Sequence, residues 1–421
     1  MPDFLNIYRV KITPLTPVHV GSGETIEPFE YLLRGDELWV LSPQRLLELL
    51  QGEDLENYLK ALERGPFAAR EALAKIASAT DLRPAITWRA PVGRAFARYL
   101  EEAFEKRTGE LAVRVFPRSL KGPYLPGSSL KGAIRTVLLF DLSREELKAE
   151  FDEESYQWRG ERDLVWVSGG RHLYPGDWRL QSGLGRIRPP IAVKDPRGWQ
   201  KRDVHRINVR FESHLLRNPP RKKGDADILR DPLRALAVAD SGTLPKTELR
   251  LIEVYGSKRE KSSPTGIRLL AETWVQGSVE SELRFHWGLQ TKKSSLLLRG
   301  RGSDKAPPLL KLDDLAASAY ERYINLAEEE LAFYEDRGWN LAKRRMEAVL
   351  EAIESCLNED GTMKKPYRFP LRLGFGASEL TMRLSEFIEY NGRGGGVRID
   401  PVSRKLAEGE PMGWVMVEVL G

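Results

Sequence analysis

The sequence predicts an α+β fold. Three observations carry that reading: an alternating strand near the N-terminus, a helix opening within "YLPGSSLKGAIRTVLL" at 124–139, and a C-terminal half in which strands precede a long helical stretch. In "LNIYRVKIT", Tyr8, Val10 and Ile12 alternate with Ile7, Arg9 and Lys11, the period of a half-buried strand. Pro14 and Pro17 break it, and the turn Gly21-Ser22-Gly23 follows His19. "FEYLLRGDELWVLSP" reads as two strands joined at Arg34-Gly35-Asp36. Helical patterns follow at 46–50, 55–62, 68–77 and 95–105, and then the helix from Leu130.

From about 160 to 232 the periodicity fades and Gly, Pro, Trp and Arg dominate. Such a stretch fits a long hairpin or lobe that becomes ordered on a partner. "LRALAVADSG" and "ELRLIEVYG" read as strands, and "TWVQGSVESELRFHWGL" as two strands around Gly277. Residues 312–358 form the longest helical stretch, with a break at Gly338. Its stripe of Tyr320, Tyr323, Ala327, Leu331 and Tyr334 is expected in the core, as are Ala342, Met346, Val349, Ile353 and Cys356 beyond the break. Two glycine-rich pieces, "LRLGFGASELTMRL" and "NGRGGGVRI", precede the closing strand "GWVMVEVL". No repeat of 20–50 residues is visible, which argues against a solenoid. The organisation expected is an N-terminal domain over 1–160, a basic irregular insertion over 161–235, and a C-terminal domain over 236–421 containing the helical segment 312–358.

The 421 residues are 41% hydrophobic and 30% charged, values of a soluble globular chain. No apolar run reaches bilayer length, so no membrane association is expected. The first residues lack the features of a signal peptide, and the single cysteine, Cys356, excludes a disulfide framework. A cytoplasmic location is the expectation. Cys356 is expected to pack within a helix. The net charge is +5, but 186–223 holds twelve Lys or Arg against three acids, a local charge of +9 that leaves −4 for the remainder. Concentrated cations of this kind suit a nucleic-acid backbone, and equally a solvated basic loop.

The helix start at "PGSSLKGAIR" poses the chemical question. Ser128 or Ser129 can cap the first turn, free N–H groups and the helix dipole favour an anion, and Lys131 and Arg135 share one face. The same pattern fits a capped core helix with two solvated cations. A P-loop is excluded, because G-x-x-x-x-G-K-[ST] fails at Ala133 and nowhere else is completed. The five histidines, His19, His172, His205, His214 and His286, form no H-E-x-x-H or H-x-x-x-H pair, and there is no G-x-S-x-G elbow. No metal or cofactor is expected. His19 fits three roles: a general base for RNA cleavage, a donor to phosphate, or a cap on its own turn.

"ITPLTPVHVGSGE", "YLPGSSLKGAIRTVLL" and the glycine-rich C-terminal segments together resemble the RAMP superfamily of type III CRISPR effector complexes. Within it the chain looks most like the subunit of the type III-A (Csm) complex that caps the 3′ end of the guide RNA. The hairpin "YLLRGDELWVLSPQRLLELL", the strand "LRALAVADS" and the terminal "EPMGW" fit that subunit, and the resemblance covers most of the chain. It implies RRM-like (ferredoxin-like) domains with a helical insertion and a projecting basic hairpin or thumb. It places the S-S-L-K-G helix start beside the RNA backbone, and lets Gly374, Gly376 and 394–396 bring the backbone close to RNA. Sequence-independent binding follows, since phosphates and sugars do not vary.

The RNA-binding set expected on these grounds is His19, Gly21, Ser22, Lys121, Ser128, Ser129, Lys131, Arg135, Arg186, Arg188, Lys201, Arg202, Gly374, Gly376 and Arg393. The partners implied are the CRISPR guide RNA, the repeated backbone RAMP subunit, the small helical Csm subunit and host nucleases that trim the 3′ end. The backbone subunit of such complexes cuts target RNA with an aspartate after its histidine–glycine motif. Here "GSGETIEPFEYLL" offers Glu24, Glu27 and Glu30 but no aspartate before Asp36, so the expectation is a binder that supports guide maturation and assembly, not an enzyme. The alternatives are a metal-independent endoribonuclease on CRISPR precursor RNA, with His19 as acid or base, and a RAMP subunit at another position.

Overall fold

The computed structural model describes residues 5–147, 232–256, 264–286, 312–377 and 403–420, together with strands at 150–152, 157–159, 166–168, 171–173, 389–392 and 395–398. The basic segment 186–223, with Arg186, Arg188, Lys201 and Arg202 and the hairpin expected there, lies outside the described residues, as does Arg393.

The N-terminal alternation becomes β1 (Leu5–Pro14), with Val10 and Ile12 fully buried and Ile7 and Arg9 exposed. After β2 (Thr25–Ile26), β3 (Tyr31–Arg34) and β4 (Glu37–Leu41) form the expected hairpin. Helices α1 (Pro43–Leu49), α2 (Gly52–Glu63) and α3 (Pro66–Ala79) pack on it through Leu46, Tyr58, Leu73 and Ile76. Pro43 and Pro66 open their helices where the missing N–H has no helical partner to lose. β5 (Ile86–Pro91) completes a three-stranded sheet, and α4 (Arg94–Lys106) follows. Next come β6 (Val113–Arg114), the hairpin of β7 (Arg118–Ser119) and β8 (Gly122–Pro123), and α5 (Gly127–Leu147).

Two short pairs follow, β9 (Glu150–Asp152) with β10 (Gln157–Arg159), and β11 (Trp166–Ser168) with β12 (Arg171–Leu173). The C-terminal half runs β13 (Leu236–Val238), β14 (Lys246–Gly256), β15 (Pro264–Gln276) and β16 (Val279–His286), the last two meeting at Gly277 as expected. Helices α6 (Leu312–Asp336) and α7 (Asn340–Glu354) flank the break at Gly338. β17 (Arg368–Arg372), the pair β18 (Glu389–Gly392) and β19 (Gly395–Arg398), then β20 (Ser403–Ala407), β21 (Glu410–Pro411) and β22 (Trp414–Val419) close the chain.

Two larger sheets organise these strands. One is five-stranded and antiparallel, in the order β13-β16-β1-β22-β17; the other is β2-β6-β15-β14-β20-β21, with β6 and β15 parallel. β1 lies between β16 and β22, with Val10 opposite Ser281 on one side and Val419 on the other. The stretches 1–160 and 236–421 thus share a sheet and a core. That core joins Val10, Ile12, Trp274, Phe285, Val415 and Val417 to Ile134 and Val137 of α5 and Tyr323 and Ala327 of α6. Cys356 falls two residues beyond α7 rather than within it; it is fully buried, and burial pushes its thiol up to about 11, so it is inert at neutral pH. Among the described residues no helix is long and apolar enough to cross a membrane.

Candidate nucleic-acid interface

Beyond Pro14 the chain is stitched to both sheets before it turns outward. Val18 and Trp274 exchange backbone hydrogen bonds of 3.0 and 2.7 Å, and Gly413 donates to the Pro17 carbonyl at 2.9 Å. His19 is 2% exposed, with Nδ1 2.7 Å from the Glu272 carbonyl. A carbonyl only accepts, so Nδ1 carries the proton in the neutral ring. Burial lowers the pKa from 6.5 to about 4; the Glu272 bond opposes this shift and the Arg114 charge adds to it. The ring stands edge-on to Phe116 and Phe375, at centroid distances of 5.6 and 6.3 Å. Through Nδ1 His19 is a fixed internal donor to β15, a role outside the three read from the sequence.

The outer part of the loop is held from below. Ser22 places both its N–H and its Oγ on the Val115 carbonyl, at 3.1 and 3.2 Å, and its Oγ accepts from the Glu24 N–H. Gly21 and Gly23 are exposed above this anchor. From the other side Phe375 N–H donates to the His19 carbonyl at 2.8 Å. Gly374 has φ +67, and a Cβ there would strike the same carbonyl; a Cβ on Gly376 would strike the Met412 backbone. The close approach seen at Gly374 and Gly376 is to the chain's own backbone, which by itself requires glycine at both positions. Between them Phe375 is half-buried and flanked by cations. Lys405 lies 3.9 Å from its ring centre and Arg114 5.8 Å, and Lys405 Nζ also donates to the Phe375 carbonyl. Exposed backbone, a partly open aromatic face and two cations make a surface suited to a single-stranded polyanion with flat bases.

Of the loop's glutamates, Glu27 and Glu30 are engaged locally. Glu27 N–H donates to the Glu30 carboxylate at 2.8 Å, Glu27 accepts from Thr25 Oγ1, and the pair caps the short turn at Pro28–Glu30. Asp36 sits exposed at the tip of the β3–β4 turn.

The helix start resolves differently from its sequence reading. Ser128 and Ser129 lie inside the first turn of α5 and do not cap it; Gly127 N–H donates to Asp240 Oδ1 at 2.8 Å. Ser241 locks the approach, accepting from Leu125 N–H at 2.9 Å and donating back to the Leu125 carbonyl at 3.0 Å. A Cβ on Gly127 would strike the Val238 carbonyl, so glycine is required for this docking. A carboxylate already sits at the positive end of the helix, where an anion was expected. Lys131 Nζ donates to the Leu236 carbonyl at 2.7 Å, Arg135 is half-buried, Ser128 is exposed, and Lys121 is exposed on the β7–β8 hairpin. The structure thus brings His19, Gly21, Ser22, Gly374 and Gly376 together and ties Gly127 and Lys131 of α5 to β13 and the residues that follow it.

Sequence reasoning missed Arg114, Phe375, Lys405, Asp240 and Glu272. Glu272 carried a signal, a lone acid within the apolar strand "LLAETWV"; Phe375 carried another, an aromatic between two glycines.

The RAMP superfamily matches the chain over residues 11–360. A chain of the cryo-EM structure of a Csm–crRNA–target RNA ternary complex from a type III-A CRISPR-Cas system is 21% identical. The match covers 98% of the present chain and 100% of that one, with a TM-score of 0.62. The crystal structure of T. onnurineus Csm5 is also 21% identical, over 96% and 99% of the two chains, with a TM-score of 0.61. At this identity the two likenesses establish a shared α+β fold. No curated protein sequence matches the chain.

Proposed function

The chain belongs to the RAMP superfamily, and from that premise we propose that it is a non-catalytic RNA-binding subunit of a type III-A CRISPR effector complex, seated at the 3′ end of the guide RNA. The observation that carries the non-catalytic reading is the state of His19. A general base works best with a pKa near the operating pH and within reach of the proton it takes. His19 is 2% exposed, committed through Nδ1 to a backbone carbonyl, and lowered to about 4. At neutral pH it has no proton to give as an imidazolium, and it is a weak base. Gly21, Gly23, Phe375, Arg114 and Lys405 supply the contact surface, and Ser128 in the first turn of α5 and Lys121 on the β7–β8 hairpin are exposed for further contacts. Support for the position comes from the fold shared with T. onnurineus Csm5 and with a chain of the Csm–crRNA–target RNA complex.

In such a complex the repeated RAMP subunit and the small helical subunit are neighbours, and guide maturation follows from protection of one RNA end while host nucleases trim the exposed remainder. The action belongs in the cytoplasm. The test is incubation of the purified chain with labelled CRISPR repeat RNA in EDTA. The proposal expects a gel shift with the RNA intact. Discrete cleavage that His19→Ala abolishes would establish the endoribonuclease instead.

A further inference from the structure

Arg118 and Trp88 form a stacked pair that the RNA surface described above does not use. Trp88 lies half-buried on β5, and the Arg118 guanidinium carbon stands 3.7 Å from its ring centre. We propose that this pair is a stacking site for an unpaired RNA base, held ready by the buried carboxylate of Glu272. The inference rests on the RNA-binding reading and adds to it a second subsite with its own chemistry.

Glu272 is fully buried, and its carboxylate gathers three donors: Arg118 Nη2 at 2.6 Å, Thr247 Oγ1 at 2.8 Å and the Phe116 N–H at 3.1 Å. Its own carbonyl receives His19 Nδ1, so one residue fixes both the histidine and the arginine. Arg118 nevertheless keeps 24% of its side chain exposed, and its Nε is buried with no hydrogen-bond partner. An arginine placed only to neutralise Glu272 gains nothing from an unpaired buried donor. The orientation instead satisfies the stack, laying the guanidinium plane on the indole.

The charge balance selects the ligand. Glu272 offsets the Arg118 charge at 2.6 Å, so the pair is a poor phosphate trap. What it offers is a rigid, polarisable plane, and guanidinium and indole planes both stack on nucleobases. Both side chains are ordered before the ligand arrives, which removes much of the ordering cost of binding.

The distinguishing consequence is salt independence. A lost phosphate contact makes the salt dependence of affinity shallower, whereas a lost stack lowers affinity at every salt concentration alike. The experiment is fluorescence anisotropy of the full chain with labelled single-stranded RNA, titrated across salt, for wild type, Trp88→Phe and Trp88→Leu. Trp88→Leu keeps apolar bulk against the neighbouring core without a π face, and Trp88→Phe keeps both. The proposal expects about tenfold weaker binding for Trp88→Leu with an unchanged salt slope, and recovery to within about twofold in Trp88→Phe. Equal affinities for all three proteins, or a loss accompanied by a shallower slope, would overturn the stacking site while leaving the RNA-binding reading intact. A wild-type chain that leaves the RNA unbound would overturn both.

Discussion

Protonating His19 should undermine the loop it anchors. Its folded pKa is about 4 against an ordinary 6.5, so the unfolded chain takes up the proton first. The stabilisation from a neutral, buried His19 is complete well above pH 6.5 and is lost as the pH falls towards about 4. The full span is worth about 3 kcal/mol, and the part lost between pH 7 and pH 5 is about 2 kcal/mol. In His19→Asn an amide can still donate to the Glu272 carbonyl but cannot titrate. Urea unfolding of both proteins at pH 7 and pH 5 isolates the histidine, because other titrating groups cancel between them. Wild type should lose about 2 kcal/mol more than His19→Asn over that interval. Parallel losses would show that His19 is solvated and titrates normally, which would reopen an acid–base role.

Other substitutions probe the remaining joints. Asp240→Ala should destabilise the protein by about 1 kcal/mol, read from the urea midpoint, because it removes the cap of α5; no change would return that role to Ser128 or Ser129. Glu330 is fully buried, ion-paired with Arg372, within 3.7 Å of Arg404 Nε and bonded to Trp414 Nε1, so Glu330→Gln strands two buried cations. A cost of about 3–5 kcal/mol is expected in the same assay, and a cost below about 1 kcal/mol would mean that solvent reaches the cluster. Arg114→Ala should make the salt slope of single-stranded RNA binding shallower by about 0.7, and an unchanged slope would remove Arg114 from the phosphate path.

What the sequence disclosed was local. The alternation in β1, the turn between β3 and β4, the strand break at Gly277 and the helix break at Gly338 are set by neighbours a few positions away, and each is found where its residues place it. The stripe of Tyr323, Ala327 and Tyr334 is buried for the same reason. What stayed hidden depends on chain closure over long separations. Asp240 caps a helix that begins 113 residues earlier, and Glu408 does the same for α4, accepting from Phe96 N–H across 312 positions. A serine at a helix start looks like the cap because nothing local announces a carboxylate from another element. Gly374 and Gly376 show the same limit: their glycine character was legible, but the groups a side chain there would strike, the His19 carbonyl and the Met412 backbone, were not. Glu272 could be seen as an oddity in β15, while its three donors come from two distant stretches, Phe116 and Arg118 on one and Thr247 on the other.

The most direct test of the central claim is position-resolved crosslinking. A type III-A complex reconstituted with this chain and guide RNAs carrying a single 4-thiouridine at successive positions can be irradiated and the attached peptides identified. The account predicts that thiouridines near the 3′ end attach to peptides containing Phe375, Gly21 or Trp88, and that the guide is recovered uncut. Crosslinks confined to the 5′ end, or to target RNA alone, would contradict it.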